Sequence, residues 1–153
     1  MNQRRLSLRI IVVCLGSLAV LFGSMAAARA DFVLLKNAKN NTPEVGRDEL
    51  KAIYTGRQKT WKNGMEIELI LNATGSPELK WLAEKVIGAN EEVLVSKIKQ
   101  EVFKGEMKKP EMANSADECI AAVKKAGGGL CVVDAAAAKS LPTEVQVLRY
   151  AGG

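Results

Sequence analysis

The sequence predicts one α/β domain with a mixed sheet covered by helices, preceded by an export signal. Short apolar runs typical of buried strands alternate with segments whose apolar residues recur at the spacing of one helical face. No internal repeat interrupts this alternation. Without the predicted signal 123 residues remain, which is enough for one hydrophobic core.

Residues 1–30 have the three features of a cleavable signal peptide. Arginines among the first nine residues give a positive start, and residues 10–25 form an apolar run. The small-x-small motif Ala28-Arg29-Ala30 follows, as signal peptidase requires. We therefore expect cleavage between Ala30 and Asp31 and a periplasmic protein. A membrane anchor fits less well, because a span needs roughly 20 apolar residues.

The charge of the whole chain comes mainly from this signal. The chain has 22 basic and 17 acidic residues, but the first 30 contain four of the basic ones and no acid. The remainder has a formal charge of +1, so a nucleic-acid partner is not expected. The sequence also lacks histidine, which removes histidine bases, nucleophilic triads and metal ligands. We expect no enzyme activity, no cofactor and no metal site.

Periodicity and capping residues predict the order of elements. Ser76, Asn90 and Ser115 are typical N-cap residues, each at the start of an apolar-periodic segment. The predicted strands are residues 32–35, 66–71, 130–133 and 145–150. The predicted helices are residues 48–54, 77–87, 91–103 and 116–125, with a short helix or turn over 135–141. The third helix is expected to bury Leu94, Val95, Ile98, Val102 and Phe103.

The segment Leu50-Lys51-Ala52-Ile53-Tyr54-Thr55-Gly56, with Trp61 and Gly64 after it, resembles a known pattern. It is similar to the "L..IF.G....W..G" stretch of periplasmic phosphate-binding proteins, the solute receptors of phosphate ABC transporters. The following order is also similar: a strand, a Gly-Ser turn opening a helix, Val102-Phe103-Lys104-Gly105, and a Gly-rich turn before Leu130-Cys131-Val132-Val133. The resemblance covers about residues 32–135.

This resemblance implies a single lobe of a type II periplasmic-binding-protein fold, because the receptors have two lobes and 123 residues match only the second. It implies phosphate or a similar anion as ligand, and an ABC transporter or another envelope protein as partner. A single lobe would need a second copy, as a homodimer, or a partner to enclose an anion. The alternative is a periplasmic accessory protein that kept the lobe and lost anion binding.

The family's anion loop, Arg-x-Asp-Gly-Ser-Gly-Thr, aligns with residues 72–78. The resemblance therefore implies ligand binding by Asn72, Thr74, Gly75 and Ser76. Asn72 replaces an arginine, whose fork of donors matches phosphate.

Two further departures weaken the loop as an anion site. Pro77 lacks a backbone N–H, and Glu78 adds negative charge at the start of the helix. An ordinary capped helix and an anion site at a helix N-terminus both remain open.

Three further features each allow two interpretations. Cys119 and Cys131 could form a disulfide or remain buried thiols. Trp61 could be presented to a ligand by the basic segment that contains it, residues 57–64, or could pack in the core. The lysines at positions 97, 99, 104, 108 and 109 could form an anion or partner surface, or only a solvated helix face.

Overall fold

The computed structural model describes residues 31–152. The predicted signal peptide and its cleavage site lie largely outside these residues. A six-stranded mixed sheet, in the order β2-β6-β1-β5-β3-β4, forms the centre of the domain. The strands are β1 Phe32–Asn37, β2 Glu44–Val45, β3 Glu68–Asn72, β4 Glu111–Ala113, β5 Gly129–Asp134 and β6 Val145–Tyr150.

Within residues 31–152, four α-helices connect and cover the strands. They are α1 Arg47–Tyr54, α2 Pro77–Trp81, α3 Glu91–Phe103 and α4 Ala116–Lys125. A π-helical segment, Leu82–Ile87, continues α2, and a 3-10 turn covers Ala137–Lys139. Gly88, at a φ of +76°, ends the π-helical segment in the left-handed conformation that glycine adopts at low cost.

The sheet combines antiparallel and parallel pairs. β1 lies antiparallel between β5 and β6. β3 is parallel to both β5 and β4, and β2 is parallel to β6. The predicted mixed sheet covered by helices is therefore confirmed. β4 is an edge strand of only three residues.

Both faces of the sheet are buried. Alternate strand residues such as Leu34, Leu71 and Val132 pack with α1, α2 and α3 on one face. Their neighbours, such as Leu35 and Cys131, pack with α4 on the other. A strand that is buried on both faces has no side chains in contact with solvent. Its sequence is therefore a continuous apolar run.

One predicted core residue is exposed. Phe103 is 93% accessible to solvent, so the expectation that it is buried was wrong. It is the last residue of α3 and lies beside the three-residue strand β4, which leaves its ring uncovered. Leu94 and Ile98 are buried as predicted, and Val95 and Val102 are half-buried.

Candidate anion-binding loop

Residues 72–76 form a tight turn between β3 and α2. The Ala73 N–H donates to the Ala113 carbonyl at 2.9 Å, and the Ser76 N–H donates to the Ala73 carbonyl at 3.0 Å. Gly75 has a φ of +86°, in the region where glycine is favoured. Thr74 and Gly75 are exposed and Ser76 is half-buried. The turn therefore places three of the four predicted ligand residues at the surface, where α2 begins.

Ser76 is the N-cap of α2, as predicted. Its Oγ accepts a hydrogen bond from the Leu79 N–H at 3.2 Å, which satisfies one of the free donors at the start of a helix. Its hydroxyl proton can still be donated to an oxygen acceptor. Pro77 follows at the first helical position and offers no N–H.

Asn72 points into the protein interior. Its side chain is buried, and Nδ2 donates to the Val132 carbonyl at 2.9 Å and lies 3.5 Å from the Cys119 Sγ. The amide thus ties β3 to β5 and satisfies a carbonyl within the core. The structure groups Thr74, Gly75 and Ser76 at the surface and directs the Asn72 side chain away from them.

A carboxylate from elsewhere in the chain contacts this loop. The Gly75 N–H donates a hydrogen bond to Glu91 Oε1. Glu91 is the first residue of α3, directly after Asn90, whose side chain caps that helix by accepting from the Val93 N–H at 2.9 Å. A carboxylate oxygen of the protein itself therefore occupies a backbone donor that a bound anion would use.

Sequence reasoning missed Glu91. An acidic residue in the first turn of a helix is common, because it interacts favourably with the helix dipole. Nothing in the spacing between Gly75 and Glu91 indicates that the two meet. Only the turn between the π-helical segment and α3 brings them together.

The electrostatics of the loop differ from those of a strong anion site. Residues 72–79 contain no basic side chain. Glu78 lies in the first turn of α2, and Glu91 contacts the loop directly. An incoming phosphate would meet two carboxylates and no guanidinium, which disfavours tight binding of a dianion.

Residues 31–152 contain neither a metal-ligand cluster nor a candidate membrane-spanning helix. No three or more Cys, Asp or Glu side chains are grouped there in a way that could hold a metal ion. No helix in this part of the chain has the length and apolar character to cross a bilayer.

Cys119 and Cys131 form a disulfide. Cys119 lies in α4 and Cys131 in β5, with Cα atoms 6.0 Å apart, and both side chains are fully buried. Of the two states left open by the sequence, the bridged one is present. The bond links α4 to the sheet that it covers.

Trp61 is a packing residue. It is 1% exposed, and its Nε1 donates to the Gly128 carbonyl at 3.0 Å. Two cations of the surrounding basic segment form ion pairs at the surface, Lys59 with Glu106 at 2.8 Å and Lys62 with Glu49 at 3.2 Å. The indole is therefore not presented to a ligand.

The remaining lysine stretch is partly neutralised. Lys97 and Lys104 both contact the Glu101 carboxylate, at 2.8 and 3.4 Å. Lys108 lies 3.6 Å from Glu68. These contacts agree with a solvated helix face for three of the five lysines.

The fold is similar to known proteins in its structure, although no match is found from the sequence. No protein-family model matches the sequence, and no curated protein matches it. The fold is similar to that of an ABC-type phosphate transport receptor from Vibrio cholerae, with a TM-score of 0.57 at 14% identity over 78% of this chain and 46% of that one.

Two further solved structures share this likeness. PstS from Borrelia burgdorferi has a TM-score of 0.60 at 13% identity, covering 78% of this chain and 47% of that one. A putative phosphate ABC transporter substrate-binding protein from Clostridium perfringens, solved with bound phosphate, has a TM-score of 0.57 at 14% identity, covering 78% and 44%. This chain thus spans less than half the length of each. The expected resemblance to phosphate receptors is confirmed at the level of fold.

Proposed function

We propose that this protein is an exported, non-catalytic receptor lobe that serves the uptake or sensing of phosphate or a similar small anion in the periplasm. It acts as one part of an assembly and not as a free-standing phosphate receptor. The fold shared with phosphate receptors supports the receptor class. The short length relative to those receptors supports action together with a partner, such as an ABC transporter, another envelope protein or a second copy.

The contact between Glu91 and Gly75 carries this proposal. In the free chain, the protein's own carboxylate already uses the backbone donor of the loop. The inward-facing Asn72 and the missing N–H of Pro77 remove two further donors. What remains is the exposed Thr74 and the hydroxyl of the half-buried Ser76. A hydrogen bond that competes with water contributes little net affinity.

A second candidate is a working anion receptor, and the same contact favours it. Because the Gly75 N–H donates a hydrogen bond to a carboxylate oxygen, the loop geometry suits an anionic oxygen. An anion could displace Glu91 if a partner closed over Thr74, Gly75 and Ser76 and excluded water. In that case the anion and the partner would bind cooperatively.

Calorimetric titration of the chain from Asp31 onward with phosphate, with sulfate as control anion, tests the proposal. We expect no saturable heat with either anion at micromolar concentrations. We expect the Glu91→Ala variant to bind phosphate at least tenfold more tightly than the parent chain, because the competing carboxylate is gone. Glu92→Ala, the neighbouring exposed acid, is the matched control and should leave the parent behaviour unchanged.

Two results would contradict the proposal. Micromolar phosphate binding by the unmodified chain would show a free-standing receptor that needs no partner to hold the anion. Reproducible turnover of a phosphate ester, lost in Ser76→Ala, would show an enzyme.

A further inference from the structure

A groove of about 540 Å³ lies between α3 and the β4 edge of the sheet. Side chains of α3 form one wall, including Val95, Val102 and Phe103, and Pro110 and Met112 line the other side. Its volume is in the range of small-molecule sites, which are typically a few hundred to about 1,000 Å³. The groove is therefore large enough for a ligand.

The groove walls are apolar and unusually exposed. Phe103 is 93% and Met112 49% accessible. Single exposed apolar residues are ordinary, but two large ones lining one cavity form a contiguous apolar surface of the kind that marks a binding site. No described residue covers the Phe103 ring, so the groove offers apolar contact that the fold itself does not use.

The charged residues that line the groove are of one sign. Lys99 and Lys109 both line it, and no acidic residue does. Among the described residues neither lysine has a carboxylate within ion-pair distance, whereas Lys97, Lys104 and Lys108 do. The groove therefore combines an apolar wall with two cations that lack a counter-charge.

The apolar wall and the two lysines together favour one class of ligand over others. A second copy of the chain seated on the same surface would bring the lysines of both copies together, which costs free energy. A purely apolar ligand would leave the two cations unused. An anionic amphiphile satisfies both parts, because its tail buries apolar area and its head group meets the lysines.

We infer that this groove binds a single-chain anionic amphiphile, with a long-chain aliphatic carboxylate as the ligand class. Its alkyl chain lies against Phe103 and Met112, and its carboxylate pairs with Lys99 or Lys109. The inference goes beyond the anion uptake proposed above and does not depend on Gly75 or Glu91.

Titration with monomeric dodecanoate, below its micelle-forming concentration, tests the inference. We expect saturable binding of one molecule per chain. Dodecyl maltoside and dodecyltrimethylammonium, which carry a tail of nearly the same length with a neutral or cationic head, should bind at least tenfold more weakly. Comparable binding of all three would overturn the inference, as would absence of saturable dodecanoate binding.

Substitutions of residues that line the groove test whether the ligand binds there. Phe103→Asp should reduce dodecanoate affinity at least tenfold, and so should the double variant Lys99→Glu/Lys109→Glu. Val93→Asp is the control for an exposed apolar residue of α3 outside the groove, and Lys80→Glu/Lys85→Glu is the control for exposed lysines elsewhere. Both controls should stay within twofold of the parent, and circular dichroism checks that every variant is folded.

Two further outcomes would overturn the inference by assigning the groove to another occupant. One is concentration-dependent dimerisation that Phe103→Asp abolishes. The other is binding to phosphatidylglycerol vesicles with no binding of monomeric dodecanoate.

Discussion

Gly128 shows how one residue can constrain several elements. Its carbonyl accepts hydrogen bonds from the Trp61 indole at 3.0 Å and from the Glu68 N–H at 3.1 Å. A Cβ atom at this position would lie 1.7 Å from the Glu66 carbonyl oxygen. The backbone just before β5 and the segment before β3 can therefore approach only because residue 128 has no side chain.

We predict that Gly128→Ala lowers the free energy of unfolding by about 3 kcal/mol, at the upper end of overpacking costs. The added methyl group must displace backbone, which cannot yield as a flexible side chain would. Gly127→Ala is the matched control, since its Cβ would meet only the Met65 sulfur at 3.7 Å. Urea denaturation measures both variants, and equal stability of the two would contradict the steric argument.

Glu101 is a nearly buried carboxylate held between two lysines. The hydrogen bond from Lys97 lowers the pKa of the Glu101 carboxyl, and Lys104 lowers it further. A carboxyl whose pKa is lower in the folded state stabilises that state above the unfolded pKa. This contribution is lost as the pH falls through the folded pKa.

We therefore predict that Glu101→Gln destabilises the protein at neutral pH and makes its stability less dependent on pH on the acid side. The difference between parent and variant should shrink as the pH falls below about 4, the ordinary range for a glutamate. Thermal unfolding between pH 3 and 7 measures this, with Glu92→Gln on the exposed face of the same helix as control. A difference that is constant with pH would show that Glu101 acts through packing alone.

At the scale of elements, capping residues define where helices begin, and the sequence predicts them well. Ser76, Asn90 and Ser115 each accept the hydrogen bond expected of an N-cap. Local hydrogen bonds need only a few neighbouring residues, so they can be read from spacing. The burial of Phe103 depends on which other element covers the end of α3. Residues near Phe103 in the sequence do not indicate this.

The disulfide joins two elements that already pack together. We predict that its reduction, or the double variant Cys119→Ala/Cys131→Ala, lowers the free energy of unfolding by about 3 kcal/mol. The bond joins residues 12 apart in sequence. Closing this loop lowers the conformational entropy of the unfolded chain, although by less than closing a longer loop would. Urea denaturation with and without dithiothreitol checks this, and an unchanged midpoint would mean that the bond adds nothing to the packing of α4 on β5.

At the scale of the whole molecule, sequence reasoning reached the fold class but not the strand order. Apolar runs such as residues 130–133 indicate burial on both faces, and this was confirmed. The two-residue strand β2 was missed, because its pairing with β6 depends on a partner distant in sequence. The Glu91 contact was missed because nothing in the spacing links this residue to Gly75. Thr74, Gly75 and Ser76 were predicted as ligand residues through the family resemblance, and they remain a prediction.

The position of β1 in the sheet has a consequence for folding kinetics. This strand comes first in the described chain, yet Leu34 pairs with Val132 on one side and Leu148 on the other. Contacts between residues so distant in sequence are slow to form, because a long loop must close before they can stabilise anything. The central strand therefore has no partners until nearly all of the chain has been synthesised. Completion of this sheet is therefore a late and slow step, which can begin only after β5 and β6 have been made.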